Sequence, residues 1–175
     1  MLFGRKTEFA IEAELEVVDG TWYHGRLRFW IAGEPVGDFE DTSDLAGSAR
    51  WARQFLAASG QRTRADLDKE GAGEVYRSLY GRFFVRGGSE PHEAFNRDPF
   101  VLDDVGESSL RDRFSVLAVR RADGSDRMLV RDHAKDTTTE TTLPPGSCDG
   151  VIGSYCSWVE AQQDKEHQGK REKYP

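Results

Sequence analysis

The fold is decided by residues 8–31, which read EFAIEAELEVVDGTWYHGRLRFWI and predict a β-hairpin. From Phe9 to Val17 apolar side chains alternate with mainly acidic ones, and a period of two is typical of a half-buried strand. Asp19 and Gly20 favour a turn, after which the alternation resumes as far as Ile31. The sequence therefore predicts two antiparallel strands that bury one shared apolar face.

The register of this hairpin follows from its two faces. A two-residue turn at Asp19 and Gly20 would set odd-numbered residues opposite even-numbered ones, so apolar side chains would meet charged ones. A three-residue loop over residues 18–20, with Gly20 in a left-handed bulge position, avoids that conflict. The predicted pairs are Leu15 with Tyr23, Ala13 with Gly25, Ile11 with Leu27 and Phe9 with Phe29, and on the outer face Glu14 with His24 and Glu12 with Arg26.

Helix and strand signals follow one another along the rest of the chain. Helices are predicted over residues 43–59, 74–80 and 149–163, the first capped by Thr42 or Ser43 and ended by Gly60. Strands are predicted around residues 36–39, 82–86, 114–119, 128–132 and 137–142, the last at a sheet edge, and residues 87–99 form a loop. These elements predict a single α+β domain over residues 1–163, an antiparallel, hairpin-rich β-sheet packed with two to three helices. Residues 164–175 are predicted as a polar, frayed tail.

Composition excludes several classes of protein. The 175 residues carry 24 Lys and Arg against 31 Asp and Glu, a formal net charge of −7, which argues against nucleic-acid binding and leaves a basic protein partner open. No stretch approaches the roughly 20 apolar residues of a membrane span, and residues 1–6 lack the pattern of a secretion signal. Cys148 and Cys156 are too few for a disulfide scaffold. We therefore expect a cytoplasmic protein without a membrane or nucleic-acid partner.

The sequence gives only weak signals for a catalytic or metal-binding site. The four histidines, at positions 24, 92, 133 and 167, lie in separate segments without metal-ligand spacing, and the acidic residues 103, 104, 107 and 112 lack the spacing of a calcium loop. We expect a solvated acidic loop there, and no metal or cofactor. His133 follows Asp132 at a predicted strand end, with Ser125 and Asp136 nearby in sequence. This arrangement leaves a small hydrolase or transferase as an alternative, although an exposed polar pair explains it more simply.

A partner-binding surface is predicted at the N-terminal hairpin. The alternation that turns Leu27 and Phe29 inward turns Trp22 and Trp30 outward. Asp38, Glu40, Asp41 and Asp44 follow shortly after in the chain. Exposed aromatic side chains beside charges are typical of protein-binding patches. The alternative is a helix that covers this face and buries both tryptophans, and the sequence leaves the choice open.

Four sequence motifs resemble the Immunity protein 42 family. They are FGxKxxFAIExEL at residues 3–15, GxWxxGRxxxWIxGExVGD at residues 20–38, DRFS at residues 112–115 and LPxG at residues 143–146. The resemblance runs from Phe3 to about Trp158 and is densest in the first 40 residues.

Members of this family are antidotes in bacterial polymorphic toxin systems. The resemblance therefore implies a cytoplasmic, non-catalytic immunity protein that binds a cognate toxin and blocks its active site or substrate access. It implies no catalytic residues and leaves the toxin open, for instance a basic nuclease or another C-terminal toxin domain. A general acidic protein-interaction module would have the same composition, and the oligomeric state stays undetermined.

Overall fold

The chain folds into two antiparallel sheets and four described helices. The computed structural model describes residues 1–19, 22–81, 98–106 and 108–173. The strands are β1 Leu2–Gly4, β2 Phe9–Asp19, β3 Trp22–Ile31, β4 Glu34–Val36, β5 Thr42–Asp44, β6 Phe114–Arg120, β7 Asp126–Asp132 and β8 Thr137–Leu143. The helices are α1 Leu45–Ala57, α2 Ala72–Leu79, α3 Ser108–Arg113 and α4 Ser147–Lys173. This architecture confirms the predicted α+β class, and the short helix α3 is the one that the sequence pattern missed.

The strands divide into an N-terminal and a C-terminal sheet. The N-terminal sheet has the order β1-β2-β3-β4, and β5 also pairs with β3. The C-terminal sheet has the order β6-β7-β8. Strand β8 therefore lies at a sheet edge, as its threonine-rich sequence predicts. The opposite edge, β6, is bridged by Thr63 and Val101.

The predicted register of the first hairpin is wrong by two residues. Phe9 lies opposite Ile31 and Ile11 opposite Phe29, and the pairing of β2 with β3 closes at Asp19 and Trp22. The register shifts between Leu15 and Val17, at a β-bulge, so an extra residue in β2 makes the change of parity that was assigned to the loop. The predicted apolar faces still coincide, because a shift of two residues leaves each side chain on its own side.

The inner face of the N-terminal sheet packs against α1 and α4 in the main core. Phe9 and Phe29 meet edge to face with ring centroids 6.0 Å apart, and Phe3 meets Tyr155 of α4 at 5.9 Å. Gly25 sits where α1 comes closest, because a Cβ atom there would lie 2.6 Å from Cδ1 of Leu45. Both helices that contact this sheet thus lie on its apolar side.

Strands β6 and β7 of the C-terminal sheet are buried on both faces. Val116, Met128 and Val130 join the main core on one face. On the other face a second cluster packs against α2 and the segment that follows it, and its members are Leu67, Val75, Leu79, Tyr80, Phe100, Val101, Leu117, Val119 and Leu129. Burial on both faces explains why β6 is apolar at successive positions.

A buried ion-pair network ties the start of α4 to the rest of the molecule. Arg62 is 1% exposed, donates to the carbonyl of Phe55 at 2.6 Å and pairs with Asp149 in the first turn of α4. Arg120 of β6 bridges Asp149 and Asp126, with both N–O distances 3.0 Å. Burial by itself lowers the pKa of Arg62, and the negative charge of Asp149 opposes that shift.

Several predicted boundaries are wrong for local reasons. Helix α1 is capped by Asp44, the last residue of β5, and not by Thr42 or Ser43, because Asp44 directly precedes the helix and accepts from the backbone of its first turn. The strand predicted over residues 36–39 lies earlier, at β4. Helix α4 continues to Lys173, past the predicted end at residue 163, so residues 164–173 are helical rather than frayed. This stretch lacks an apolar stripe but is rich in strong helix formers such as Lys, Glu and Gln. The predicted strand over residues 82–86 lies outside the described residues, as do residues 87–97 of the predicted loop.

Candidate functional site

The outer face of the N-terminal sheet carries facing rows of charged and aromatic side chains. We use "outer face" for the side opposite the core, formed by Trp22, His24, Arg26, Arg28 and Trp30 of β3 and by Glu12 and Glu14 of β2. Glu12 lies opposite Arg28 and Glu14 opposite Arg26, which corrects the predicted partners. Helices α1 and α4 pack against the inner face of this sheet, where their apolar side chains join the main core. Trp22 is exposed and Trp30 is half-buried, so neither tryptophan is the core residue that a covering helix would make of it.

Trp30 is held in place by three charged neighbours. Its indole Nε1 donates to Oε2 of Glu12 at 2.7 Å, and Arg28 donates to the same oxygen at 2.8 Å. The Nζ atom of Lys6 lies 3.9 Å from the centre of the indole ring, and the guanidinium of Arg28 lies 4.7 Å from it. Such cation–π contacts fix the ring. Trp30 is thus a half-buried, pre-positioned aromatic group rather than a loose one.

Glu12 is the acceptor at the centre of this cluster. Burial by itself would raise the pKa of Glu12, but the hydrogen bonds from Trp30 and Arg28 and the charge of Lys6 lower it on balance below its ordinary value of 4.5. The carboxylate is therefore charged at neutral pH and accepts bonds from both sides.

Trp22 lies at the opposite end of β3 and is far more open. It is 56% exposed, and its ring stacks on His24 with centroids 6.4 Å apart. The eight-residue separation from Trp30 along one strand corresponds to roughly 27 Å. The two tryptophans thus mark the ends of one face instead of forming a single cluster.

The acidic segment borders this face along β3. Asp38 and Glu40 are exposed, and Glu40 pairs with Arg26 at 3.3 Å. The ring of Phe39 lies 4.8 Å from the guanidinium of Arg28, which holds the segment against the sheet. The predicted acidic residues 38, 40 and 41 therefore adjoin the outer face.

Asp44 has a different role from the other predicted acidic residues. Its carboxylate accepts hydrogen bonds from the backbone of Ala46 at 3.2 Å and of Gly47 at 3.1 Å, which caps α1. A side chain that is half-buried and occupied in this way has little capacity left for a partner. Asp44 is therefore a helix cap and is not part of the proposed binding surface.

His133 is not arranged as a catalytic base beside Asp132. It is exposed, and its Nε2 atom lies 2.8 Å from Oγ of Ser115, which is fully buried. The Asp132 carboxylate turns instead to the backbone of Ala134 at 3.0 Å and of Lys135 at 3.1 Å. The pair that the enzyme hypothesis needs is therefore not formed.

Other groups considered from the sequence have structural roles. Asp103 is 1% exposed and accepts from Tyr80 at 3.2 Å and from the backbone of Val116, so it is not part of a solvated loop. Cys148 and Cys156 are free and buried, and burial raises the pKa of both thiols. Among the described residues no group of three potential ligands could hold a metal ion. No helix in the described part of the chain is long and apolar enough to span a membrane.

A cleft of about 740 Å³ lies between the two sheets, and sequence analysis did not find it. It is lined by Ile31, Val36 and Phe39 from one side and by Met128, Val130, Thr137, Thr139 and Thr141 from the other. These residues are far apart in the sequence, so the cleft exists only through tertiary packing.

The amino-acid sequence matches Immunity protein 42 over residues 1–158. The chain belongs to the Immunity protein 42 family. Its biological role is that of an immunity protein, which neutralises a toxin by binding it and is not an enzyme. The enzyme hypothesis for His133 is therefore wrong.

Solved structures support the fold of this immunity protein. The crystal structure of CdiI from Burkholderia dolosa AUO158 has a TM-score of 0.71 to it and 20% sequence identity, and the alignment covers 90% of this chain and 99% of that chain. At this identity the likeness concerns the fold alone. No curated protein is significantly similar in sequence.

Proposed function

We propose that this immunity protein binds its cognate toxin in the cytoplasm through the outer face and the adjoining acidic residues, and so blocks the toxin's active site or substrate access. The observation that carries the proposal is the exposure of Trp22, 56% of whose surface is open to solvent. A large aromatic side chain left in water on a folded protein is typical of a binding hot spot.

Trp30 supports the same surface in a different way. Its ring is already fixed by Glu12, Lys6 and Arg28, so little side-chain entropy remains to be lost on binding. Pre-positioned aromatic groups of this kind contribute more binding free energy than mobile ones of equal area.

The charge of the surface favours a basic toxin. The cations of the outer face are already engaged, since Arg28 pairs with Glu12 and Arg26 with Glu16 at 2.6 Å. Asp38, Glu40 and Asp41 then add negative charge to a protein whose net charge is −7. Complementary charge would steer a basic toxin, for instance a nuclease domain, toward this face.

The fold shared with CdiI supports a place in contact-dependent inhibition between bacteria. In such a system the antidote must meet the toxin inside the cell that it protects. This requirement supports the cytoplasmic location proposed here.

Co-expression with the product of the adjacent upstream gene tests this function. We expect growth to be rescued and the two proteins to co-purify, with an association rate that falls as ionic strength rises. An upstream product that is toxic but neither bound nor neutralised would overturn the proposal. An association rate independent of salt would contradict the basic character of the toxin.

A further inference from the structure

The cleft between the sheets adjoins an open strand edge. In the C-terminal sheet β8 pairs with β7, and no other described strand pairs with it. One edge of β8 therefore presents backbone N–H and C=O groups to its surroundings, which is the usual template for strand addition. The strand is short and polar, and most of its threonines are exposed.

Register places the cleft on one face of β8. Thr139 lies opposite Val130 and Thr141 opposite Met128, so these threonines and the apolar side chains share a face that lines the cleft. Thr142 lies opposite Arg127 and belongs to the other face. A strand added to β8 would therefore direct every second side chain into the cleft.

Charge at one end of the cleft selects the kind of segment that fits. Arg113 and Lys135 share a single carboxylate, that of Asp132, at 3.5 and 3.6 Å. Both cations are well exposed, with 54% and 68% of their side chains open to solvent. Glu34 and Asp38 also line the cleft, so the positive charge is local to Arg113 and Lys135, and an acidic side chain set directly beside these two cations would complement it.

We propose that this cleft receives an extended segment of the toxin, which pairs with β8, places apolar side chains at alternate positions in the cleft and sets an acidic side chain beside Arg113 and Lys135. The partner's identity rests on the proposed function, and the cleft adjoins the outer face, because Arg28 and Asp38 both line it. Binding would then use two surfaces, a charged aromatic face and a cleft that holds one strand.

The first test fills the cleft. Thr139→Trp adds a bulky side chain at an exposed position on the cleft side of β8, and Thr142→Trp adds the same group on the other side. We expect Thr139→Trp to weaken binding of the adjacent upstream gene product by about tenfold or more, and Thr142→Trp by less than about threefold, in titration calorimetry. Thermal unfolding midpoints close to that of the unsubstituted chain would show that both variants fold.

The second test changes charge and does not depend on the fold of the first variants. Lys135→Glu reverses one of the two positive charges beside Asp132, whereas Lys69→Glu makes the same change at an exposed site outside the cleft. We expect Lys135→Glu alone to weaken binding, by about tenfold.

The outcomes separate this inference from the proposed function. Failure of the unsubstituted chain to bind the toxin would overturn both. Tight binding that is unaffected by Thr139→Trp and Lys135→Glu would overturn the cleft alone. Sedimentation showing a dimer that Thr139→Trp converts to monomers, with toxin binding unchanged, would assign the cleft to a second copy of this chain and also overturn the inference.

Discussion

The indole nitrogen of Trp30 donates a hydrogen bond to the carboxylate of Glu12 on the neighbouring strand, at 2.7 Å. The two residues are diagonal neighbours, because Glu12 lies directly opposite Arg28. This bond makes one carboxylate responsible for the position of both an aromatic and a basic side chain. The proposed surface therefore depends on Glu12, whose carboxylate acts by positioning Trp30 and Arg28 and not by contacting the toxin itself.

Replacing Glu12 should loosen this cluster. We expect Glu12→Gln to lower the free energy of unfolding by about 1 to 2 kcal/mol, because the hydrogen bonds from Trp30 and Arg28 lose their negatively charged acceptor. Glu14→Gln is the matched control, since Glu14 is exposed on the same face and strand. Urea denaturation of both variants measures the difference. Equal stability of the two variants would mean that the cluster contributes nothing to the fold.

The same cluster predicts a pH dependence. The pKa of Glu12 is lower in the folded chain than its ordinary value of 4.5, so its contribution to stability is fully present above that pH. The contribution is lost as pH falls through the lower, folded-state pKa, because the carboxylate is then protonated in both states. We expect the stability gap between the unsubstituted chain and Glu12→Gln to shrink below about pH 4. A gap that stays constant down to pH 2 would contradict this assignment.

The buried network at the start of α4 should be sensitive to its carboxylate. We expect Asp149→Asn to destabilise the chain by about 2 kcal/mol or more, because Arg62 would stay buried without its charged partner. Asp112→Asn removes one exposed carboxylate elsewhere and should change stability by less than about 0.5 kcal/mol. Thermal unfolding of both variants is the measurement, and a similar midpoint shift in the two would contradict the role of the network.

Asp44 should affect stability but not toxin binding. We expect Asp44→Ala to cost about 1 kcal/mol, because α1 loses its cap, and Asp44→Ser to restore most of that loss. Titration of both variants with the toxin should give the affinity of the unsubstituted chain. Loss of affinity in the Asp44→Ser variant would return this residue to the binding surface.

The strands could be predicted because their signal is local. Alternation between residues 9 and 31 predicts which side chains lie inside, and Phe9, Ile11, Leu27 and Phe29 are buried as predicted. Val17, predicted on the apolar face, lies beyond the bulge and is 56% exposed. The register was missed because an odd loop and a bulge solve the same parity conflict equally well. Only packing across the sheet, such as Leu45 against Gly25, distinguishes them.

The candidate site could be predicted only in part, for a related reason. Trp22, Trp30 and the acidic residues 38, 40 and 41 could be proposed from the sequence, because charge and aromatic content are visible there. The contact that fixes Trp30 against Lys6 could not be predicted, because it joins a side chain of β3 to one in the turn before β2. The cleft could not be predicted, because Val36 and Thr139 come to line the same cleft only when the two sheets pack together.

The central claim, that the outer face and its acidic border bind the toxin, is tested most directly by comparing affinities of charge-matched variants. One variant carries Asp38→Asn, Glu40→Gln and Asp41→Asn, and the control carries Glu70→Gln, Glu74→Gln and Asp112→Asn at exposed sites elsewhere. Both change the net charge equally, so only position differs. We predict that titration with the toxin shows a loss of about tenfold or more in the first variant, and a comparable loss in Trp22→Ala, but less than about threefold in the control. Equal affinity of the first variant, Trp22→Ala and the control would contradict the account.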